Sequence, residues 1–174
     1  DVVEIRESDT LNPGFYFVDS IGFKSISFDK SLCKEPVKAS DGKISVLLVE
    51  PNKYPKMIKI DDTLEAMQEV VGGDIEEYMP FEDEVAIICN EEGKITGMAP
   101  NRAVYEENSR EMLDIICGKF FIVYAPFEAE RFQSLPPDLA EKYREKFKYP
   151  ERFMRVNNEI VAVPFKPVRA DKER

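Results

Sequence analysis

The segment VAIIC at residues 85–89 is apolar at every position and restricts the fold more than any other part of the chain. Its length suits a strand, and it offers no polar face to water. We therefore expect a central strand in a sheet that is covered on both faces. The surrounding signals, over residues 44–104, indicate two strands, a helix and a further strand before this one. They predict an α+β module with a mixed or antiparallel sheet and a ββαββ start.

The helix of this module has clear end signals. Asp62 and Glu65 have the spacing of a capping box, in which each side chain bonds a backbone amide of the first turn. Gly72 and Gly73 end the helix, because glycine adopts the left-handed conformation at little cost. The spacing predicts a helix over residues 62–71, with one apolar stripe formed by Leu64, Met67 and Val71.

The segment after the central strand is rich in turn residues. The sequence NEEGK at residues 90–94 predicts a hairpin turn, with Gly93 at positive φ. Residues 99–102 are interpreted as a polar loop. Residues 119–124, which follow Gly118, predict the last core strand of the module.

The two flanks have weaker patterns. In residues 1–43 we expect two strands, joined as a β-hairpin through residues 19–22, and then a linker over residues 33–43. The aromatic side chains of these strands favour sheet packing, with an exposed binding surface as the alternative; they are Phe15, Tyr16, Phe17 and Phe23.

Beyond residue 124 the pattern becomes helical. It predicts a short helix over 127–133, a second helix that begins near Pro136, and an edge strand over 159–165. The chain is thus divided into three parts. These are a strand-rich extension and linker (1–43), an acidic α+β module (44–124) and a helical, mildly basic extension (125–174).

Negative charge is concentrated in the central module. Residues 44–124 carry 17 acidic and 7 basic side chains, whereas residues 125–174 carry 9 acidic and 11 basic ones. Such a module repels phosphates, which disfavours direct nucleic-acid binding through it. The charge favours a protein partner with a basic surface.

The absence of histidine excludes several kinds of catalytic and metal-binding site. The chain has no histidine, which removes Ser-His and Cys-His catalysis and imidazole ligation of zinc. The three cysteines Cys33, Cys89 and Cys117 are widely spaced and typical of a reduced, cytoplasmic protein. No apolar run is long enough to cross a membrane. We expect a non-enzymatic protein with no catalytic residue, metal or cofactor, and no membrane association.

The strongest candidate for a polar binding site combines the NEEGK turn with the loop at residues 99–102. If the two segments converge, they form a binding site for a polar ligand or a partner's backbone. The alternative is ordinary turn chemistry, in which these side chains shape the bend or face solvent. The candidate binding residues are Asn90, Glu91, Glu92, Lys94, Asn101 and Arg102.

A second cluster is purely acidic. Its spacing matches no calcium loop, so a solvated acidic rim is favoured over a cation site. Its members are Glu76, Glu77, Glu82, Asp83 and Glu84.

The chain resembles a family of small domains of unknown function over residues 44–124. The matching residues are Val71-Gly72-Gly73, Ile75-Glu76, the CNEEGK sequence at 89–94, Gly97, Asn101-Arg102 and Gly118. Members of that family occur in bacteria, phages and conjugative elements. The resemblance implies an α+β module in a mobile-element setting and implies no activity.

Three hypotheses about function follow. The favoured one is a protein-interaction module, of which an acidic DNA mimic or counter-defence protein is a sharper version. The second is a small-ligand-binding or hydrolytic domain that uses the NEEGK turn and the loop with Asn101 and Arg102. The third is a structural module whose two extensions assemble subunits.

Overall fold

The computed structural model describes residues 2–6, 12–18, 22–27 and 42–167. The chain forms two compact units, Asp1–Ala39 and Ser40–Arg174. The first unit contains an antiparallel sheet with strand order β1-β2-β3. Its strands are β1 (Val2–Ile5), β2 (Gly14–Val18) and β3 (Phe23–Ile26). Residues 19–21 of the predicted turn at 19–22 and residues 33–41 of the predicted linker at 33–43 lie outside the described residues.

The aromatic residues of the first unit divide between packing and exposure. Tyr16 is buried, its ring meets that of Phe23 edge-on at 6.5 Å, and its hydroxyl donates to the Asn12 carbonyl. Phe17 and Phe23 remain 44% and 56% exposed. Tyr16 therefore has the packing role, and the other two rings retain open surface.

The second unit is built from nine strands and two helices over residues 42–167. In chain order they are β4 (Lys43–Val49), β5 (Lys56–Asp61), α1 (Leu64–Val71), β6 (Ile75–Tyr78), β7 (Val85–Asn90), β8 (Pro100–Tyr105), β9 (Met112–Cys117), β10 (Phe120–Tyr124), α2 (Pro137–Lys146), β11 (Glu151–Val156) and β12 (Glu159–Pro164).

A five-stranded sheet with the order β5-β4-β10-β7-β6 forms the centre of this unit, and every neighbouring pair is antiparallel. Strand β7 lies between β10 and β6, and all six of its residues are buried. The expected central strand is therefore confirmed, as is the α+β class. Strands β8 and β9 form a separate antiparallel pair, and so do β11 and β12.

Each face of the central sheet has its own apolar core. Phe120 and Phe121 are adjacent in β10, so their side chains point to opposite faces, and both are fully buried. Phe121 packs with Met67 and Val71 of α1. Phe120 packs with residues of α2 and of the β8–β9 pair, including Tyr143. Truncating either phenylalanine to alanine should cost about 3–5 kcal/mol of the free energy of unfolding.

Helix α1 begins two residues after the start of the predicted span 62–71, and its N-cap lies one residue after the predicted one. The N-cap is Thr63, whose Oγ1 accepts a hydrogen bond from the Ala66 amide at 3.2 Å. Asp62 instead lies 3.8 Å from the guanidinium of Arg131. The glycine end is as expected, since Gly72 is left-handed with φ 81°.

The predicted hairpin at residues 90–94 is wrong. Residues 91–97 form successive helical turns, in which the amides of Thr96 and Met98 donate to the carbonyls of Glu92 and Gly93. Positive φ falls at Gly97 (74°) and not at Gly93. The polar loop predicted at 99–102 is also wrong, because β8 begins at residue 100 and its residues 101–104 are buried.

The helix predicted at 127–133 is absent as well. Residues 125–132 form a loop, because Tyr124 and Gln133 exchange both backbone hydrogen bonds and close it at its base. The later helix is found as α2, which packs on the central sheet through residues such as Ala140. The predicted edge strand at 159–165 is found as β12, and its partner β11 was not predicted.

Candidate protein-binding site

Asn101 and Arg102 are buried and bonded within the protein, each only 1% exposed. The Asn101 Nδ2 donates to the carbonyls of Val49 and Gly118, at 3.0 and 2.7 Å. Its Oδ1 accepts from the Arg102 Nη1 at 2.7 Å. This amide therefore joins the ends of β4 and β9 to the start of β8.

The Arg102 guanidinium connects β8 to two further segments. It donates to the carbonyls of Phe147 and Lys53, at 3.1 and 2.8 Å, and to the Asn101 carbonyl at 3.1 Å. Burial lowers the pKa of Arg102 to about 10, so it stays charged at neutral pH. Glu151 is the nearby acid; burial raises its pKa, and its Oε2 accepts from the Ala103 amide.

Asn90 has a similar internal role at the other end of the predicted site. Its Nδ2 donates to the Gly72 carbonyl at 3.0 Å, and its Oδ1 accepts from the Glu92 amide at 2.9 Å. A Cβ at residue 73 would lie 2.5 Å from that Nδ2, so Gly73 leaves the space that the asparagine needs. The double glycine and Asn90 thus form one packing unit.

The remaining predicted residues face solvent. Glu91, Glu92 and Lys94 are exposed, and Lys94 pairs with Asp114 of β9. Among the described residues, no hydrogen bond joins the side chains of residues 90–94 to those of Asn101 or Arg102. Lys94 borders a shallow cavity of about 410 Å³ along β9, and neither Asn101 nor Arg102 lines it. The binding role of these six residues stays a prediction.

The acidic cluster divides between internal bonds and solvent. Asp83 accepts from the Tyr143 hydroxyl at 2.9 Å and pairs with Lys142. Glu84 accepts from the Tyr124 hydroxyl and the Phe127 amide, both at 3.1 Å. The other members, Glu76, Glu77 and Glu82, are exposed. Two of the five carboxylates therefore hold parts of the fold together.

Neither described cysteine has the features of a nucleophile. Cys89 is buried, and burial together with the nearby Glu76 carboxylate raises the pKa of its thiol to about 11. Burial also raises the pKa of Cys117. Both side chains are therefore thiols at neutral pH, whereas the thiolate is the reactive form.

A groove of about 520 Å³ is bounded by the start of α1, strand β6 and the loop at residues 125–132. We call it the α1–β6 groove. Its apolar lining includes Leu64, Met79 and Phe127, which are 52%, 36% and 77% exposed. The three side chains form a contiguous set of exposed apolar groups in one cavity, which is more informative than a single exposed residue.

The loop that carries Phe127 is held in place by hydrogen bonds. Glu84 accepts the Phe127 amide through its side chain and the Ala125 amide through its carbonyl, at 3.1 and 2.9 Å. The paired backbones of Tyr124 and Gln133 fix the base of the loop. The aromatic side of the groove is therefore preorganised, which reduces the entropy that a partner's binding would cost.

Charge in the groove is mainly negative. Asp62, Glu77 and Glu130 line it together with one cation, Arg131, which lies beside Asp62. Neither Glu77 nor Glu130 forms an ion pair with any residue that the structure describes. Two carboxylates are thus left to face whatever enters the groove.

Sequence reasoning missed this groove because the pattern predicts a short helix over residues 127–133, whereas these residues lie in the loop that forms one side of the groove. A signal was available in the sequence APFEAERF at residues 125–132, where acidic and apolar residues alternate over 127–130 and do not follow a helical period. The predicted acidic cluster did include Glu77 and Glu84, which take part in the groove and its support.

The fold and the groove define a class: an antiparallel α+β domain with helices on both faces of one sheet and an open, acidic groove at its edge. The family described as "Domain of unknown function (DUF3846)" matches residues 44–148, which is more than half of the chain. The chain belongs to this family. The match includes helix α2 and confirms the resemblance seen in the sequence.

No curated protein and no solved structure matches the chain significantly. Across the described ranges, none of the helices has both the length and the apolar character needed to cross a membrane.

Proposed function

We propose that this protein is a protein-interaction module and that the α1–β6 groove is its binding site. The observation that carries the proposal is the exposure of Leu64, Met79 and Phe127 side by side in one cavity. Apolar side chains exposed together beside a preorganised loop are typical of a docking surface. Burying them against a partner supplies the favourable free energy of association.

The chemistry of the partner follows from the charge of the groove. Glu77 and Glu130 would be desolvated by an apolar segment alone, which is unfavourable without compensating partners. A segment that carries Lys or Arg beside its apolar side chains satisfies both carboxylates. The partner is therefore a protein segment that is both apolar and basic. The negative charge of residues 44–124 adds attraction at longer range.

A small-ligand site and a DNA mimic both have less support. A small-ligand site at the NEEGK turn would use Asn101 and Arg102, whose donors are already bonded to carbonyl groups of the protein. A DNA mimic needs a regular field of carboxylates, whereas Asp83 and Glu84 are occupied in internal hydrogen bonds. The mobile-element setting stays a prediction.

The experiment is a comparison of three forms of the full chain as baits in an extract of the native host. They are the unchanged protein, Phe127→Ser, and Ile95→Ser as the matched control. Ile95 is 86% exposed and does not line the groove, so its replacement removes exposed apolar surface elsewhere. Captured proteins are then purified and their affinities measured directly.

The proposal predicts a partner that binds the unchanged protein and Ile95→Ser equally, and Phe127→Ser at least about tenfold more weakly. Increasing salt should weaken this binding. If every captured protein binds all three forms equally, the groove is not the binding site.

A further inference from the structure

Strand β6 is an edge of the central sheet, and it forms one wall of the α1–β6 groove. It pairs with β7 on one side only, in the order β5-β4-β10-β7-β6. Its groove residues are Ile75, Glu77 and the following Met79. Because alternate residues of a strand share one face, these side chains point together toward α1.

The hydrogen-bonding register shows which backbone groups are free. The Glu91 amide donates to the Asp74 carbonyl at 2.9 Å, so residue 74 forms a hydrogen-bonded pair with residue 91. In an antiparallel ladder such pairs alternate, and the next ones are 76 with 89 and 78 with 87. The backbone groups of Ile75 and Glu77 therefore point away from β7.

These outward groups have no partner among the described residues. Beyond the β6–β7 ladder, no hydrogen bond within the described ranges reaches the backbone amide or carbonyl of Ile75 or Glu77. The same two residues thus present free backbone groups at the edge and side chains in the groove. A peptide that pairs with this edge would place alternate side chains in the groove.

We propose that the partner segment binds as an added β-strand on β6. This inference rests on the proposed function of the groove and specifies its binding mode. The bound segment is extended, with apolar side chains at alternate positions that reach Leu64, Met79 and Phe127. Basic side chains meet Glu77 in the groove and Glu76 on the opposite face of the sheet.

The negative charge of strand β6 also indicates which kind of segment can pair with it. Edge strands that carry charge resist pairing with identical copies, because like charges would face each other. Two β6 strands would bring Glu76 and Glu77 of both copies together, which disfavours a second copy of this chain. A basic strand gains attraction at the same positions.

The test begins with selection of random peptides displayed on phage against the full chain, with the Phe127→Ser form used for counter-selection. Strand addition predicts enriched peptides with a period of two: one set of alternate positions faces the groove with apolar residues and a Lys or Arg opposite Glu77, and the other set carries a Lys or Arg opposite Glu76. Apolar residues at spacings of three and four would indicate a helical ligand. That result would overturn strand addition and leave the groove as the binding site.

A second measurement uses synthetic copies of the enriched peptide with single N-methylated backbone amides. Methylation at the alternate positions that face β6 should weaken binding about tenfold, the effect of one lost hydrogen bond of about 1.4 kcal/mol. Methylation at the intervening positions should change it little. Equal effects at both sets of positions would overturn strand addition.

The matching change in the protein is Glu77→Pro, which removes an outward amide and leaves the bonds from β6 to β7 in place. Glu77→Gln is its control, because it removes the same charge and keeps the amide. Binding should be lost in the proline form and only reduced in the glutamine form. If no peptide depends on the groove at all, both this inference and the proposed function fail.

Discussion

Asn90 donates a hydrogen bond from its Nδ2 to the carbonyl oxygen of Gly72 across 3.0 Å, joining the end of strand β7 to the end of helix α1. Its Oδ1 simultaneously accepts the amide of Glu92. The Asn90 side chain therefore forms one hydrogen bond with the end of helix α1 and another with the turns at residues 91–97. The helix end, Gly73 and Asn90 depend on one another, although residue 90 lies far from the glycines in sequence.

Replacing Asn90 with alanine should lower the free energy of unfolding by about 2 kcal/mol. The change leaves the Gly72 carbonyl and the Glu92 amide without their partner in a largely buried place. Urea unfolding followed by circular dichroism measures the effect. The control is Glu91→Ala, an exposed neighbour whose replacement should stay within about 0.5 kcal/mol. Equal losses in the two variants would contradict this role.

Arg102→Met should destabilise the protein by about 3–5 kcal/mol. Removing the guanidinium leaves the carbonyls of Lys53 and Phe147 unpaired and Glu151 without its nearby cation. Arg102→Lys should rescue little of the loss, because one ammonium group cannot reproduce the guanidinium's fork of donors. Thermal unfolding of both variants checks the prediction, and near-complete rescue by lysine would contradict it.

The lowered pKa of Asp83 predicts how the free energy of unfolding depends on pH. The hydrogen bond from Lys142, with that from Tyr143, holds the pKa of this carboxyl below its ordinary value of 3.8. When folding lowers the pKa of a carboxyl group, its ionised form stabilises the folded protein. This stabilisation is fully present at pH values above the unfolded-state pKa, and it is lost as the pH falls through the folded-state pKa. The free energy of unfolding of the unchanged protein should therefore fall below about pH 4 more steeply than that of Asp83→Asn. Parallel curves would contradict the assignment.

Local patterns predicted the elements whose sequence dictates their structure without distant partners. The apolar strand β7, the helix ended by Gly72 and the strand β10 all carry their own signals. The N-cap was misplaced by one residue because Asp62 and Thr63 are both good capping residues, and tertiary structure decided between them. The Asp62 carboxylate lies beside Arg131, which is 69 positions further along the chain.

The candidate site was harder to predict because it depends on contacts between distant segments. Asn101 and Arg102 look like exposed loop residues in sequence, yet their partners are carbonyls at residues 49, 53, 118 and 147. The groove combines residues from α1, β6 and the 125–132 loop. No local pattern indicates that these three segments meet.

The carboxylates of the groove should control the salt dependence of binding. Replacing Glu77 and Glu130 together by glutamine should weaken binding of the captured partner several-fold at low salt and flatten its dependence on ionic strength. The matched control replaces Glu91 and Glu92, which are exposed outside the groove, by glutamine. Isothermal titration calorimetry at two salt concentrations measures both effects. An equal change in the control pair would show that only overall charge matters.

Hydrogen–deuterium exchange of the full chain, with and without its purified partner, tests the central claim most directly. If the partner occupies the α1–β6 groove, the protected amides should lie in strand β6, at the start of α1 and in the loop at 125–132. Residues 91–97, which contain the exposed part of the NEEGK turn, should exchange as before. Protection confined to residues 91–97, with none in β6 or the loop, would contradict the assignment of the groove as the binding site.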